Sequence, residues 1–248
     1  MRFLLTNDDG IQAPGLALLA RVAAKLGEVY VVAPDAERSG VAHAITLYKP
    51  LRLLEIAPNW LACDGTPTDC VYLALHQLNL QPDFVLSGVN PGPNLGHDVL
   101  YSGTVAGALE GAHWKVPSVA ISHCTGDTER MAELEPLLDA LVPQFMDIAA
   151  HHRGAVNVNL PAIQKGPWLG LRAARMGHRL YSKEVTARND PRGRAYYWIG
   201  GNDVTMPDLE GSDCNAVRDG YVSVTPLGDD LTRHTAIGEV ADRLANHS

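Results

Sequence analysis

The chain has 248 residues, 28 acidic against 20 basic side chains and a formal net charge of −8. Its 46 % hydrophobic and 19 % charged content is that of an ordinary globular protein and excludes a disordered or fibrous chain. The acidic balance argues against a binder of duplex nucleic acid, which needs a basic face. It leaves room for a small anionic substrate where a cation reverses the local sign.

At roughly 150 residues per domain the length suits one large domain or two small ones, either able to bury a full core. The four cysteines (Cys63, Cys70, Cys124, Cys214) are widely spaced, with no C-x-x-C pair. They read as reduced thiols of a cytoplasmic protein, not as a zinc ribbon or disulfide framework. The opening MRFLLTNDDG is too short in its apolar part for a signal-peptide core and runs straight into two acids. No run approaches the ~18 apolar residues of a membrane span, so no membrane partner is expected.

In chain order, Phe3-Leu4-Leu5 predicts a strand buried on both faces, with a turn at Asn7-Asp8-Asp9-Gly10. Pro14 and Gly15 open a helix with apolar positions at Leu16, Leu19, Ala20, Ala23 and Leu26, ended at Gly27. Val29 to Val32 is a second strand, stopped by Pro34. This β-α-β opening implies a right-handed crossover and parallel sheet. Val71, Ala74, Leu75 and Leu78 form a helical stripe. Phe84-Val85-Leu86 is a strand ended by Ser87-Gly88. Val105 to Ala112 is a further helix and Val116 to Ile121 a further strand. Met131 to His151 is a long helical segment that Pro136 and Pro143 are expected to break or kink. Ala155 to Leu160 alternates as a strand does. The pattern is an open α/β sheet with helices on both faces. From Gly166 the texture changes, and Tyr196-Tyr197-Trp198-Ile199 within RNDPRGRAYYWIGG reads as one strand of a hairpin arm, a packing or oligomer surface. Glu239 to Leu244 reads as a terminal helix.

Ligands of open parallel sheets bind outside the carboxyl ends of the strands. Asp8 and Asp9 follow the first strand, APDAERSG with Ser39 follows the second, and SGVNPGPNLG with Asn90 and Asn94 follows the Phe84 strand. Two adjacent acids repel unless a cation or solvent separates them. With Ser39 and Asn90 they offer only oxygen donors, the set preferred by Mg²⁺ or Mn²⁺ over zinc. The pair reads equally as a solvated Asp-Gly turn or a helix cap. Ser102-Gly103-Thr104 opens a helix with free N–H groups and two hydroxyls, either an anion site or simple N-capping. No P-loop, dinucleotide fingerprint, nucleophile elbow or H-E-x-x-H occurs. His97 reads as a surface residue, and the sequence leaves His234 unplaced.

NDDG at 7–10, APDAERSG at 33–40, GTPTDCV at 65–71 and SGVNPGPNLGHDVLYSGTVAGALEGA at 87–112 resemble the SurE family. NVNLP at 157–161, DPRGRAYYWIGG at 190–201 and SDCNAVRDGYVSVTPL at 212–227 extend the likeness over nearly the whole chain. The resemblance implies a single domain with a Rossmann-like core over about 1–165. An oligomerisation arm and C-terminal segment would cover about 166–248, exchanged between subunits of a homodimer or homotetramer. It implies a metal-dependent 5′/3′-nucleotidase that hydrolyses nucleoside monophosphates with one Mg²⁺ or Mn²⁺ per subunit. The family's metal ligands fall on Asp8, Asp9, Ser39 and Asn90, with Asp8 or Asp9 orienting or deprotonating the attacking water. Its phosphate-binding residues fall on Asn94, Gly96, Ser102, Gly103 and Thr104. Two rivals remain. A phosphatase with an aspartyl nucleophile usually has its acids two positions apart, whereas here they adjoin. A non-catalytic nucleotide-binding module would bind without turnover.

Overall fold

A computed structural model of the chain describes residues 1–245 except 127, 153, 163–167 and 201–203. The first apolar run forms β1 (Arg2–Thr6), with Phe3, Leu4 and Leu5 fully buried, as a strand covered on both faces must be. Helix α1 (Pro14–Ala24) begins with proline in its first turn, where the missing N–H leaves no bond unmade. Strand β2 (Glu28–Pro34) runs parallel to β1. Two further strands, β3 (Leu53–Ala57) and β4 (Trp60–Cys63), form an antiparallel pair, and β3 is exposed along its last four residues. Helix α2 (Pro67–His76) opens with a reciprocal capping box between Thr66 and Asp69. Strand β5 (Phe84–Asn90) runs past Ser87-Gly88 to Asn90.

A short 3-10 helix, Gly96–Leu100, leads into α3 (Gly103–His113), which Ser102 caps, and then into β6 (Ser118–His123). The prolines do not break the next helix. After a 3-10 turn at Met131–Leu134, α4 (Glu135–His152) carries Pro136 in its first turn and continues through Pro143. Strand β7 (Ala155–Leu160) is buried throughout. The remainder holds β8 (Leu171–Ala173), β9 (Leu180–Tyr181), β10 (Val185–Asn189), β11 (Ala195–Ile199), β12 (Val204–Thr205), α5 (Asp213–Arg218), β13 (Val222–Leu227) and α6 (Ile237–Ala245).

Nine strands form one sheet in the order β3-β4-β2-β1-β5-β6-β7-β13-β8. From β4 to β7 every neighbouring pair is parallel, while β3 and β13 run antiparallel to β4 and β7. Helices α1 and α4 pack together over one face, α2 and α3 over the other, each layer closing on its own apolar cluster. This is the expected three-layer, mostly parallel α/β architecture. Strands β8 and β13 come from beyond residue 165 yet extend the main sheet. The expected arm is present as the β10–β11 hairpin, with Tyr197, Trp198 and Ile199 exposed. Helix α6 buries none of its residues. The expected boundary near 165–166 and Gly201 of the aromatic stretch lie outside the described residues. Among the described residues no helix is long and apolar enough to cross a membrane.

From β1 the chain proceeds through β2 to β4 on one side and then returns to place β5 on the other. The strand order therefore reverses between β1 and β5, and their carboxyl ends frame a crevice.

Candidate active site

A cavity of about 640 Å³ opens at that crevice, lined by Asp8, Ser39, Asn90, Asn94 and Ser102 among others. Three separate strand ends and a helix start thus deliver five of the expected residues to one space. Asp8 is only 5 % exposed. Its backbone carbonyl accepts the Arg38 N–H at 2.7 Å, which ties the end of β1 to the loop carrying Ser39. The Thr104 hydroxyl donates to its carboxylate, and the Gly103 and Thr104 amides at the start of α3 also bond it. Burial nevertheless dominates and raises the Asp8 pKa above the ordinary carboxylate value.

Gly103 and Thr104, expected at the phosphate, open α3 beside Asp8. The positive end of α3 is directed at Asp8, and neither residue lines the cavity. A Cβ on Gly103 would lie 2.7 Å from that of Asp8, so the helix can approach the carboxylate only as glycine.

Asp9 lines a neighbouring cavity with Glu37 and Pro91 instead. Its Oδ2 is buried with no hydrogen-bond partner among the described residues. Burial, then the charges of Asp8 and Glu37, push its pKa up to about 7. Ser39 donates its hydroxyl to Glu37 at 3.0 Å. Asn90 commits its Nδ2 to the Gly92 carbonyl at 2.8 Å, so Oδ1 is the atom left to coordinate. Among the described residues no group of three His, Cys, Asp or Glu side chains is placed to hold a metal. The donors here are two carboxylates, a hydroxyl and an amide. An orphaned buried carboxylate oxygen beside a second buried carboxylate is what a hard divalent cation would satisfy, so the residues present fit Mg²⁺ or Mn²⁺.

Asn94 faces the cavity but is held from behind. Its N–H donates to Asn159 Oδ1 at 2.8 Å and its Nδ2 to the Ser122 hydroxyl at 2.8 Å. Its carbonyl accepts Nδ2 of Asn157 at 2.8 Å and of Asn159 at 3.1 Å. Asn157 and Asn159 are two apart on β7 and so share a face, a signal present in NVNLP. Gly96, expected at the phosphate, is not among the residues lining the cavity and is held tightly in the chain packing. Its φ is +53°, a Cβ there would sit 2.6 Å from the Gly177 carbonyl oxygen, and its N–H donates to Asp213 at 2.8 Å. Asp213 is fully buried and also accepts the Gly177 and Cys214 amides. The sequence carries it in SDCNAVRDG, but nothing local marks it as a clamp on a loop 117 residues away. Neither His97 nor His234 lines the cavity. His97 sits against His178, and His234 bonds Asp230 at 2.7 Å.

Comparison with known proteins agrees with this architecture. Residues 3–183 match the family described as survival protein SurE. The chain is 49 % identical over 241 residues to the 5′-nucleotidase SurE of an Anaeromyxobacter species, covering 96 % of this chain and 93 % of the relative. It is 46 % identical to the 5′-nucleotidase SurE of Gemmatimonas aurantiaca, covering 96 % of each chain. The crystal structure of the SurE protein from Aquifex aeolicus superposes with a TM-score of 0.80 at 37 % identity, covering 97 % of this chain and 98 % of that one. Matched across most of its length by the family, by curated relatives and by a solved fold, this chain belongs to the SurE family.

Proposed function

We propose that the protein is a phosphomonoesterase that hydrolyses nucleoside 5′- and 3′-monophosphates to nucleoside and phosphate, using one Mg²⁺ or Mn²⁺ per subunit. The observation that carries this is the single cavity bringing Asp8, Ser39, Asn90, Asn94 and Ser102 together at the strand-order reversal. The 5′-nucleotidase names of the relatives support the substrate class.

In this reading Asp8, Asp9, Ser39 and Asn90 hold the cation. A divalent cation there supplies charge neutralisation for phosphate and acidifies a water nucleophile. Thr104 and the start of α3 keep Asp8 in one orientation through the bonds described above. Asp8 or Asp9, at the end of β1, orients the attacking water or takes its proton. Asn94 and Ser102 face the phosphate, and the β7 asparagines keep Asn94 fixed so that its remaining Nδ2 hydrogen need not reorganise as charge develops. Gly96, Gly103 and Thr104 belong to the same phosphate-binding loop and helix start, with the Thr104 hydroxyl also holding Asp8.

The same reading makes the chain one catalytic unit whose segment from about 166 to 248 serves a homodimer or homotetramer in the cytoplasm. Trp198 and Ile199 at 65 % and 91 % exposure, and an α6 with exposed Ile237, Val240 and Leu244, support self-association, because isolated chains rarely leave such apolar groups in water.

The test is phosphate release from a panel of 5′- and 3′-nucleoside monophosphates by chelated protein, with and without Mg²⁺ or Mn²⁺, beside Asp8→Asn. Metal-restored release that is lost in the variant is expected. Folded protein that binds nucleotide but releases no phosphate with either metal makes it a binding module instead.

A further inference from the structure

Part of the cavity wall comes from two segments with no role so far. Asp98, Tyr101, Arg179 and Tyr181 all line it. We infer that Tyr101 and Tyr181 are the specificity-determining residues of the site and receive the base of a nucleotide against their rings. This deepens the nucleotidase reading above and rests on it.

Four observations carry the assignment. First, the space suits the ligand: about 640 Å³ falls within the range of small-molecule sites and leaves room for a nucleoside beyond the phosphate end. Second, both tyrosines line that space and keep much of their surface accessible, Tyr101 at 66 % and Tyr181 at 49 % exposure. Third, Tyr181 is fixed in place. Its hydroxyl donates to Asp98 Oδ1 at 2.8 Å, Arg179 bonds the other oxygen of the same carboxylate, and the guanidinium lies 5.3 Å from the ring centroid. A ring immobilised beforehand loses little entropy when a base stacks on it. Fourth, both rings are referenced to the phosphate end. Tyr101 directly precedes Ser102, and Asp98 lies in the 3-10 helix after Gly96. Asp213 joins the Gly96 and Gly177 amides, each at 2.8 Å, so the segment bearing Tyr181 cannot drift from the loop bearing Asn94.

The charges of this wall select among ligands. Arg179 is neutralised by Asp98, and Lys183 is followed by Glu184. The wall therefore presents aromatic faces with little net positive charge. That fits a neutral planar ring better than a second phosphate.

The experiment measures binding of adenosine, which has no phosphate, to the full-length protein by calorimetry, for wild type, Tyr101→Ala, Tyr181→Ala and Tyr181→Phe. In parallel, kcat/KM is measured for AMP and for ribose 5-phosphate with Mn²⁺. Each alanine variant should weaken adenosine binding roughly 5- to 150-fold, the range for loss of one base–aromatic stack. The AMP to ribose 5-phosphate ratio should fall in step. Phenylalanine at 181 keeps the ring and should recover most of both. Unaltered adenosine binding in both alanine variants, no adenosine binding by wild type, or equal losses on both phosphate esters overturns the assignment. Wild type that binds adenosine through these rings but cleaves neither ester upholds the assignment and removes the nucleotidase reading instead.

Discussion

Asp9→Asn should stabilise the metal-free protein and destabilise it relative to wild type once metal is present. The carboxyl is raised from 3.8 to about 7 by burial and by the charges of Asp8 and Glu37. A raised acid means that the folded state holds a proton the unfolded state has lost, so stability falls as pH climbs from about 4 through 7. At about 1.4 kcal/mol per unit the shift has a ceiling near 4 kcal/mol. The carboxyl is only partly buried, so solvent screens it, and about 2 kcal/mol is the appropriate expectation. For a chain of this size that is roughly 4–8 °C in Tm. Thermal unfolding in chelator should therefore show wild type losing Tm between pH 4 and 8, while the variant stays flatter and ends higher at pH 8. Adding Mn²⁺ at about 100 times its Kd should stabilise wild type by about 2.7 kcal/mol and leave the variant nearly unmoved, reversing the order. If the two proteins unfold together at pH 8 in chelator, the electrostatic account of the paired carboxylates is wrong.

Three further outcomes follow from the same geometry. Thr104→Val removes the hydroxyl that bonds Asp8 at nearly constant volume, and hydrogen bonds to charged groups are worth about 1.5–3 kcal/mol; phosphate release should drop roughly 10- to 100-fold, with Mn²⁺ affinity measured alongside. Asp213→Ala leaves three buried amides unpaired, those of Gly96, Gly177 and Cys214, and should cost about 3 kcal/mol or more in urea unfolding; an unchanged midpoint refutes the clamp. Trp198→Ser should weaken self-association in sedimentation experiments without lowering the melting temperature of the dilute protein, because the ring is 65 % exposed and contributes little to the core.

The sequence by itself determined the layered framework. Apolar runs such as Phe3-Leu4-Leu5 and helical stripes such as Leu16, Leu19 and Ala23 report burial directly, because their periodicity is imposed by local backbone geometry. Asp8, Ser39 and Asn90 were legible as a group because strand ends in a parallel sheet converge on one edge. The edge strand β3 and its neighbour β4 were not, since both are short and β3 is exposed along most of its length. Pro143 stays inside α4 because packing against α1 and the sheet outweighs the roughly 3 kcal/mol that an interior proline costs, whereas Pro136 sits in the first turn, where it is tolerated. Only the tertiary structure decided what the start of α3 binds. A Ser-Gly-Thr helix opening advertises an anion site, but whether the anion is a ligand or the chain's own Asp8 depends on where β1 ends, 96 residues away. The same holds for Asp213, Asn157 and Asn159, whose partners are distant in sequence. Hydrogen bonds between segments leave no periodicity, so their residues become visible only when the fold brings donor and acceptor together.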